Sequence, residues 1–454
     1  FGRRSSFDPL AMNPVSKTAG DVIWQDLNKL SKYAHDFDRN NFGPRFGFAW
    51  RPLGDKTVLR GGYGLIYGGI YDGSMGRVFD AGYGDQRDFT SPDNGITTAG
   101  LLKNGVPNPT KPARAPGFGA VVAGQTPSFS PDYALTNQRN PYSHQANFNL
   151  QHELKSGYLL EAGWIANLSH KIAGRDTNIN EVRPELRGAT QDQRLRPYPQ
   201  YAGVTVRNPN WGNSSYHALT LKSQKRYSKG LSLLATYTWS KFLDDVQATV
   251  EATSSGPQSY YDRHSDKAPS GNDIRHRLTG SAVYDLPFGP GKLLSTKNRW
   301  IDAAIRDWSL SGILDMRTGF YFGVVELSNR LNSFSPRQRS SVVGDWNISG
   351  DRSKASMLQQ YFNVAAFAFP GAGVAGNTAR AFISGPGSVS LDASLQRNIA
   401  LGERLRFQIR GEAYNALNHA NFGNPNSSRG STAFGQISSA ASARILQLGA
   451  RIEF

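Results

Sequence analysis

Arg404, Arg406, Gln408, Arg410 and Glu412 occupy alternate positions of "ERLRFQIRGEAYNAL". On an extended backbone, at about 3.3 Å per residue, such side chains share one face about 6.6 Å apart. A ladder of guanidinium, amide and carboxylate groups can steer an anionic substrate. It can also line a hydrated wall on which opposite charges alternate, and the wall is the simpler account. Asp244, Asp245, Asp262, Asp266 and Asp273 form a second chemistry-bearing stretch. A calcium loop needs oxygen ligands at regular spacing around a glycine turn, and this stretch has neither. "GAGVAG" at 371–376 spells the glycine fingerprint of dinucleotide sites. That chemistry needs a strand before it and a helix after it, so that the helix N-terminus meets the pyrophosphate. Pro370 precedes it and no amphipathic helical pattern follows, so a loop is expected. The eight histidines show no paired metal-ligand spacing. His276 stands between Arg275 and Arg277, which disfavours a metal cation, and it and His419 are expected in structural roles near strand ends. The chain has no cysteine, which excludes disulfides, thiolate nucleophiles and Cys-ligated zinc. No covalent chemistry, metal or cofactor is expected.

The formal charge of +16 over 454 residues suits nucleic acid, anionic lipid or an acidic ligand. The basic residues are scattered rather than clustered, as on a solvated surface, and no nucleic-acid role is expected.

The backbone elements that hold these groups are strands. In "ARILQLGARIEF", Leu446, Leu448, Ala450, Ile452 and Phe454 alternate with Gln447, Gly449, Arg451 and Glu453, the period of two that marks a strand with one apolar and one polar face. The same alternation recurs in "PRFGFAW", "TVLRGGYGLIY", "SHQANFNLQHEL", "GYLLEAGWIA", "SYHALTLKSQKRY", "LSLLATYTWS", "DIRHRLTGSAVYDL", "WSLSGILDMRTG" and "LDASLQRNIAL". With the Arg404–Glu412 stretch this makes eleven provisional strands. A soluble sandwich would turn the apolar faces inward onto a second sheet. A membrane barrel would turn them out to lipid, with the polar faces lining a lumen. Strands of ten residues or more suit a tilted membrane crossing. The polar faces are rich in Arg, Gln, Asn and Glu. Aromatic residues (Trp50, Tyr67, Tyr142, Trp239, Phe242, Trp308, Phe320, Tyr414) sit near strand ends, where interfacial girdles belong.

The connections alternate. Tight turns are expected at 52–56, 154–157, 227–230 and 401–404, with a medium connection near 287–306. Long polar stretches lie at 68–140, 168–212, 243–272, 320–388 and 417–442. Short turns on one side and long loops on the other are the habit of outer-membrane barrels. With the long loops outside, the C-terminus lies on the periplasmic side and residues 1–44 form an extracellular loop. Eleven strands entered from the outside cannot close alone, because an open edge in lipid leaves amides unpaired. Further strands upstream are therefore expected.

"NFGPRFGFAWRPLGDKTVLRGGYGLIY", "NPYSHQANFNLQHEL", "SYHALTLKSQKRYSKGLSLLATYTWSKFLDD", "DIRHRLTGSAVYDLPFGPGK", "YFNVAAFAFP", "GPGSVSLDASLQRNIAL" and "GEAYNALNHANFGNPN", in that order, resemble the barrel of Oar-like TonB-dependent outer-membrane receptors, acidobacterial type. The resemblance implies a 22-stranded antiparallel transmembrane barrel of which residues 45–454 supply about the C-terminal half, strands 12 to 22. It implies a plug and often a carboxypeptidase-regulatory-like domain, neither present here. It further implies import of a scarce large solute, driven by the inner-membrane TonB complex, in the outer membrane of a Gram-negative-type bacterium. The ladder would then face the plug or the solute. Leu448, Ile452 and the terminal Phe454 would be the signal read by the barrel-assembly machinery, while Phe454 can also anchor its strand at the interface. Outer-membrane lipid and lipopolysaccharide are the expected surroundings. The alternative expectation is a passive porin or surface adhesin.

Overall fold

A computed structural model describes residues 4–27, 30–31, 33, 36–69, 81–83, 90–91, 93–101, 103, 105, 114–246, 257–289, 292–294, 298–402 and 405–454. Eleven strands follow one another in a single antiparallel sheet: β1 (Arg45–Trp50), β2 (Thr57–Tyr67), β3 (Tyr142–Glu153), β4 (Tyr158–Ile172), β5 (Gly212–Ser228), β6 (Leu231–Asp244), β7 (His276–Asp285), β8 (Trp308–Arg317), β9 (Ser388–Ala400), β10 (Arg406–Tyr414) and β11 (Ile445–Glu453). Each pairs with its neighbours in chain order, and a two-residue strand, Ala268–Pro269, pairs beside β6. All eleven expected strands form.

Directly paired residues share a face, so the register carries each face across the sheet. Leu231, Tyr284, Leu310, Leu395, Gly411 and Leu448 form one continuous apolar row. On the other face, Gln151, Glu161, Lys222, Thr236, Thr279, Asp315 and Ser390 form a polar row. Among the described residues no second large sheet covers the apolar face. Trp50 is 62% exposed and Leu448 88%. A sandwich would bury these positions, so the sandwich reading fails on this observation.

Aromatic side chains on the apolar face collect at two levels. Trp50, Tyr158, Tyr284 and Trp308 lie at the end bearing the short turns; Tyr67, Tyr142, Tyr237 and Trp239 lie at the end bearing the long loops. Three members of the expected girdle are not among these. Phe242 pairs with Tyr216 and Tyr414 with Ile445 on the polar face, because each falls on the other parity of its strand. Phe320 lies beyond the end of β8.

The turn end is built locally. At the β5–β6 hairpin, Lys229 (φ 50°) and Gly230 (φ 77°) both take positive φ, the backbone of a two-residue type I′ turn whose twist matches the flanking strands. Short 3₁₀ segments, Gly54–Lys56 and Lys155–Gly157, close two other turns, and the medium connection carries a helix at Arg299–Ile305. At the opposite end, β4, β5 and β6 run to 15, 17 and 14 residues. A tilted crossing uses about 9–11, so these strands project beyond it and carry the long loops with them.

Candidate functional site

The compact apolar cores of this molecule lie in the loop layer, not against the sheet. Within the expected loop 1–44, residues 5–24 form a hairpin, Ser5–Met12 with Ala19–Trp24. Its Phe7, Val22 and Trp24 pack with Tyr201 and Val204 of the β4–β5 loop. Tyr201 is fully buried, and its hydroxyl meets Asn13 Nδ2 at 3.1 Å and Phe118 O at 3.3 Å. A second core joins Val324, Phe362, Ala366, Phe367 and Ile383 of the β8–β9 loop. Apolar burial of this kind is non-directional and proportional to area, and it fixes loops that have little regular structure.

Above the ends of β4–β6, residues of loops 173–211 and 318–387 and of segments 245–246 and 257–275 line a cavity of about 260 Å³. Its wall contains five arginines, Arg175, Arg263, Arg337, Arg339 and Arg380, together with Trp211 and His264. Two of them have carboxylate partners. Arg339 donates to Asp266 Oδ1 at 2.7 Å and to Ser265 Oγ at 2.7 Å, with both charged groups buried. Arg380 is paired with Asp244 and donates to the Asp266 carbonyl at 3.1 Å. The remaining wall carboxylate, Asp245, accepts from the backbone and side-chain amides of Asn213 at 2.6 and 2.9 Å. Arg175, Arg263 and Arg337 have no carboxylate within salt-bridge distance among the described residues; Arg263 lies over the Trp211 ring, 4.2 Å from its centroid. Arg175 Nε and Arg339 Nε are buried without a hydrogen-bond partner among the described residues. Burial holds Arg337 below the usual guanidinium range, and the neighbouring Arg175 adds to it.

Glu181 ties two of these loops together. Its Oε2 accepts from the Tyr260 backbone amide at 3.0 Å, and its carbonyl accepts from the Tyr261 hydroxyl at 3.2 Å. Burial pushes its carboxyl up from 4.5 to about 7, against the pull of the Tyr260 amide and of Arg187 and Arg196. The folded state therefore binds a proton that the unfolded chain has released between these two values. Stability contributed by this site is full below about pH 4.5 and is lost as pH rises to about 7, by about 3 kcal/mol at ~1.4 kcal/mol per unit. Limited proteolysis of the 173–211 loop should be slower at pH 5 than at pH 8. Glu181→Gln, which keeps the acceptor without the charge, should abolish that difference.

The expected site residues have these places. Arg406, Gln408, Arg410 and Glu412 share the polar face of β10, and Arg404 lies outside the described residues. Part of the ladder is partnered: Arg410 Nε lies 3.3 Å from Glu412 Oε1, and Gln408 donates to Asn398 of β9 at 2.9 Å. Leu448 and Ile452 lie on the apolar face of β11, and Phe454 follows its end fully exposed. Three of the five carboxylates pair with arginine: Asp244 with Arg380, Asp266 with Arg339, and Asp273 with Arg275 at 3.2 Å. "GAGVAG" is a loop, and its last glycine has a packing reason. A Cβ at Gly376 would lie 2.0 Å from the Arg339 carbonyl oxygen, so the backbone runs hard against the cavity wall. His276 is on the apolar face opposite Trp239, and its Nδ1 meets the Tyr237 hydroxyl at 2.8 Å.

Sequence reasoning missed the arginine cavity. Its members come from three loops up to 205 positions apart (Arg175 to Arg380), and the only local signal is the alternation of Arg337 and Arg339 in "SPRQRS".

A family model described as outer membrane beta barrel domain matches residues 2–447. The chain belongs to this outer-membrane β-barrel family. No curated protein sequence matches it significantly. Among solved structures the barrel is similar to the outer membrane transporter YddB from Escherichia coli (10% identity, TM-score 0.47, covering 91% of this chain and 40% of that one). It is also similar to BauA, the ferric preacinetobactin receptor from Acinetobacter baumannii (11%, 0.39, 91% and 36%). A third similar structure is the ferripyoverdine receptor of the Pseudomonas aeruginosa outer membrane (10%, 0.41, 91% and 33%). The barrel thus spans 33–40% of the length of these proteins. Family membership places it in the outer membrane.

Proposed function

We propose that the chain is the C-terminal half of the barrel of an Oar-like TonB-dependent receptor, strands 12 to 22 of 22, that binds and imports a scarce large solute. The observation that carries this reading is the eleven-stranded meander with short turns at one end and a folded loop layer at the other. Its edge strands β1 and β11 have one neighbour each among the described residues, and an unpaired edge is costly in lipid. In this reading the loop layer faces the cell exterior and captures the solute, and the C-terminus is periplasmic. A plug encoded upstream is displaced when the TonB complex pulls on it, so the protein moves a solute without covalent chemistry. The polar face of β10 is a hydrated lumen wall, and Leu448, Ile452 and Phe454 are read by the barrel-assembly machinery during insertion among lipid and lipopolysaccharide.

The coding DNA upstream of the Phe1 codon tests the reading. An in-frame extension with about eleven further strands, a plug and a TonB box is the expected result. A signal peptide directly upstream would overturn it in favour of a passive channel or adhesin. Planar-bilayer recording adds a functional arm: a plugged receptor gives no open-channel steps, a porin does.

A further inference from the structure

We infer that the cavity lined by loops 173–211 and 318–387 and by segments 245–246 and 257–275 is a binding site for an anionic solute bearing two or more carboxylate or phosphate groups, held by Arg175, Arg263 and Arg337. This deepens the receptor reading and rests on it for the claim that the bound anion is the solute taken up. Five guanidinium groups line about 260 Å³, and among the described residues only two have carboxylate partners within salt-bridge distance. Collecting like charges around an enclosed space is unfavourable unless a counter-charge joins them, since low-dielectric walls strengthen their repulsion. The described carboxylates nearby are already engaged: Asp245 is held by Asn213, and Asp244 and Asp266 by Arg380 and Arg339. Arg175 Nε and Arg339 Nε are buried donors without acceptors among the described residues. Buried polar groups are rarely left so, and an anion's oxygens would satisfy them.

The fork of donors on each arginine matches carboxylate and phosphate oxygens two at a time, and the volume admits a compact polyanion rather than a polymer. The pairs Arg339–Asp266 and Arg380–Asp244 then act as the frame that positions the wall. Arg263, set over Trp211, brings an indole into the same wall, so its fluorescence reports on occupancy.

Titration calorimetry and Trp fluorescence on the protein purified from outer membranes, with pyrophosphate, tricarballylate and neutral maltose, test the site. Binding of pyrophosphate or tricarballylate but not maltose is expected, weakening as salt is raised. The anion bound more tightly tells whether phosphate or carboxylate is the natural group. Arg337→Gln and Arg175→Gln should each weaken it about tenfold or more, the scale of one charged hydrogen-bonding group. Both variants should keep the wild-type proteolysis pattern, and Arg406→Gln, on the polar face of β10, should bind as wild type. Failure of both anions to bind, equal binding of maltose, or unchanged affinity in the Arg175/Arg337 double variant would each overturn the inference. Binding is read without transport, so loss of TonB-driven uptake would count against the receptor reading alone.

Discussion

Asp266→Ala is expected to destabilise the loop layer by about 3–5 kcal/mol, the cost of removing one partner from a buried ion pair. Asp266 and Arg339 are both almost wholly buried, and among the described residues Arg339 has no other carboxylate within salt-bridge distance. Arg380, whose Nε donates to the Asp266 backbone carbonyl, stays close and keeps its pairing with Asp244, while Arg339 loses the Asp266 carboxylate. Hydrogen exchange should show loops 245–275 and 318–387 opening together while the sheet amides stay protected. The converse variant distinguishes charge from packing. Asp266→Leu combined with Arg339→Met removes both charges, and replacing a buried pair by apolar groups of similar volume is close to neutral. The double variant should therefore recover most of the loss. If Asp266→Ala left exchange in both loops unchanged, the pair would not be holding them.

Leu448→Arg is expected to cost about 2–4 kcal/mol of membrane stability if the position lies near the bilayer midplane, whereas Gln447→Arg is tolerated. The two residues are neighbours on β11 and differ in face. Leu448 is opposite Gly411 on the apolar side, and Gln447 is opposite Glu412 on the polar side. An arginine at 448 has only lipid around it, while one at 447 gains the Glu412 carboxylate across the strand pair. Urea titration of the protein folded into thin bilayers reads the difference directly. Equal losses at both positions would sink the assignment of the apolar face to lipid.

Why the strands were legible and the cavity was not follows from the range of the forces involved. A strand between two media must alternate residue by residue, so the identity of each face is written at a spacing of two. Leu446, Leu448 and Ile452 against Gln447 and Arg451 need no knowledge of any other segment. The turn at Lys229–Gly230 was equally local, since positive φ at two successive residues favours particular residue types at the tip. The girdle was only partly legible: Phe242 and Tyr414 stand near strand ends as expected, but parity, which sets the face, had to be counted from the register. The hairpin at Ser5–Met12 and Ala19–Trp24 escaped because its strands are short and its core partners, Tyr201 and Val204, lie far along the chain.

The amino-acid sequence by itself determined the sheet: eleven amphipathic strands, their order, and which face of each is apolar, because the solvent on either side imposes a pattern within each strand. Only the tertiary structure decided what the loops do. Whether Arg337 stands alone or beside Arg175 depends on two loops being pinned by separate apolar cores and by the Asp266–Arg339 and Asp244–Arg380 pairs. Each of those contacts joins residues more than 70 positions apart, and no periodicity encodes a meeting of that kind.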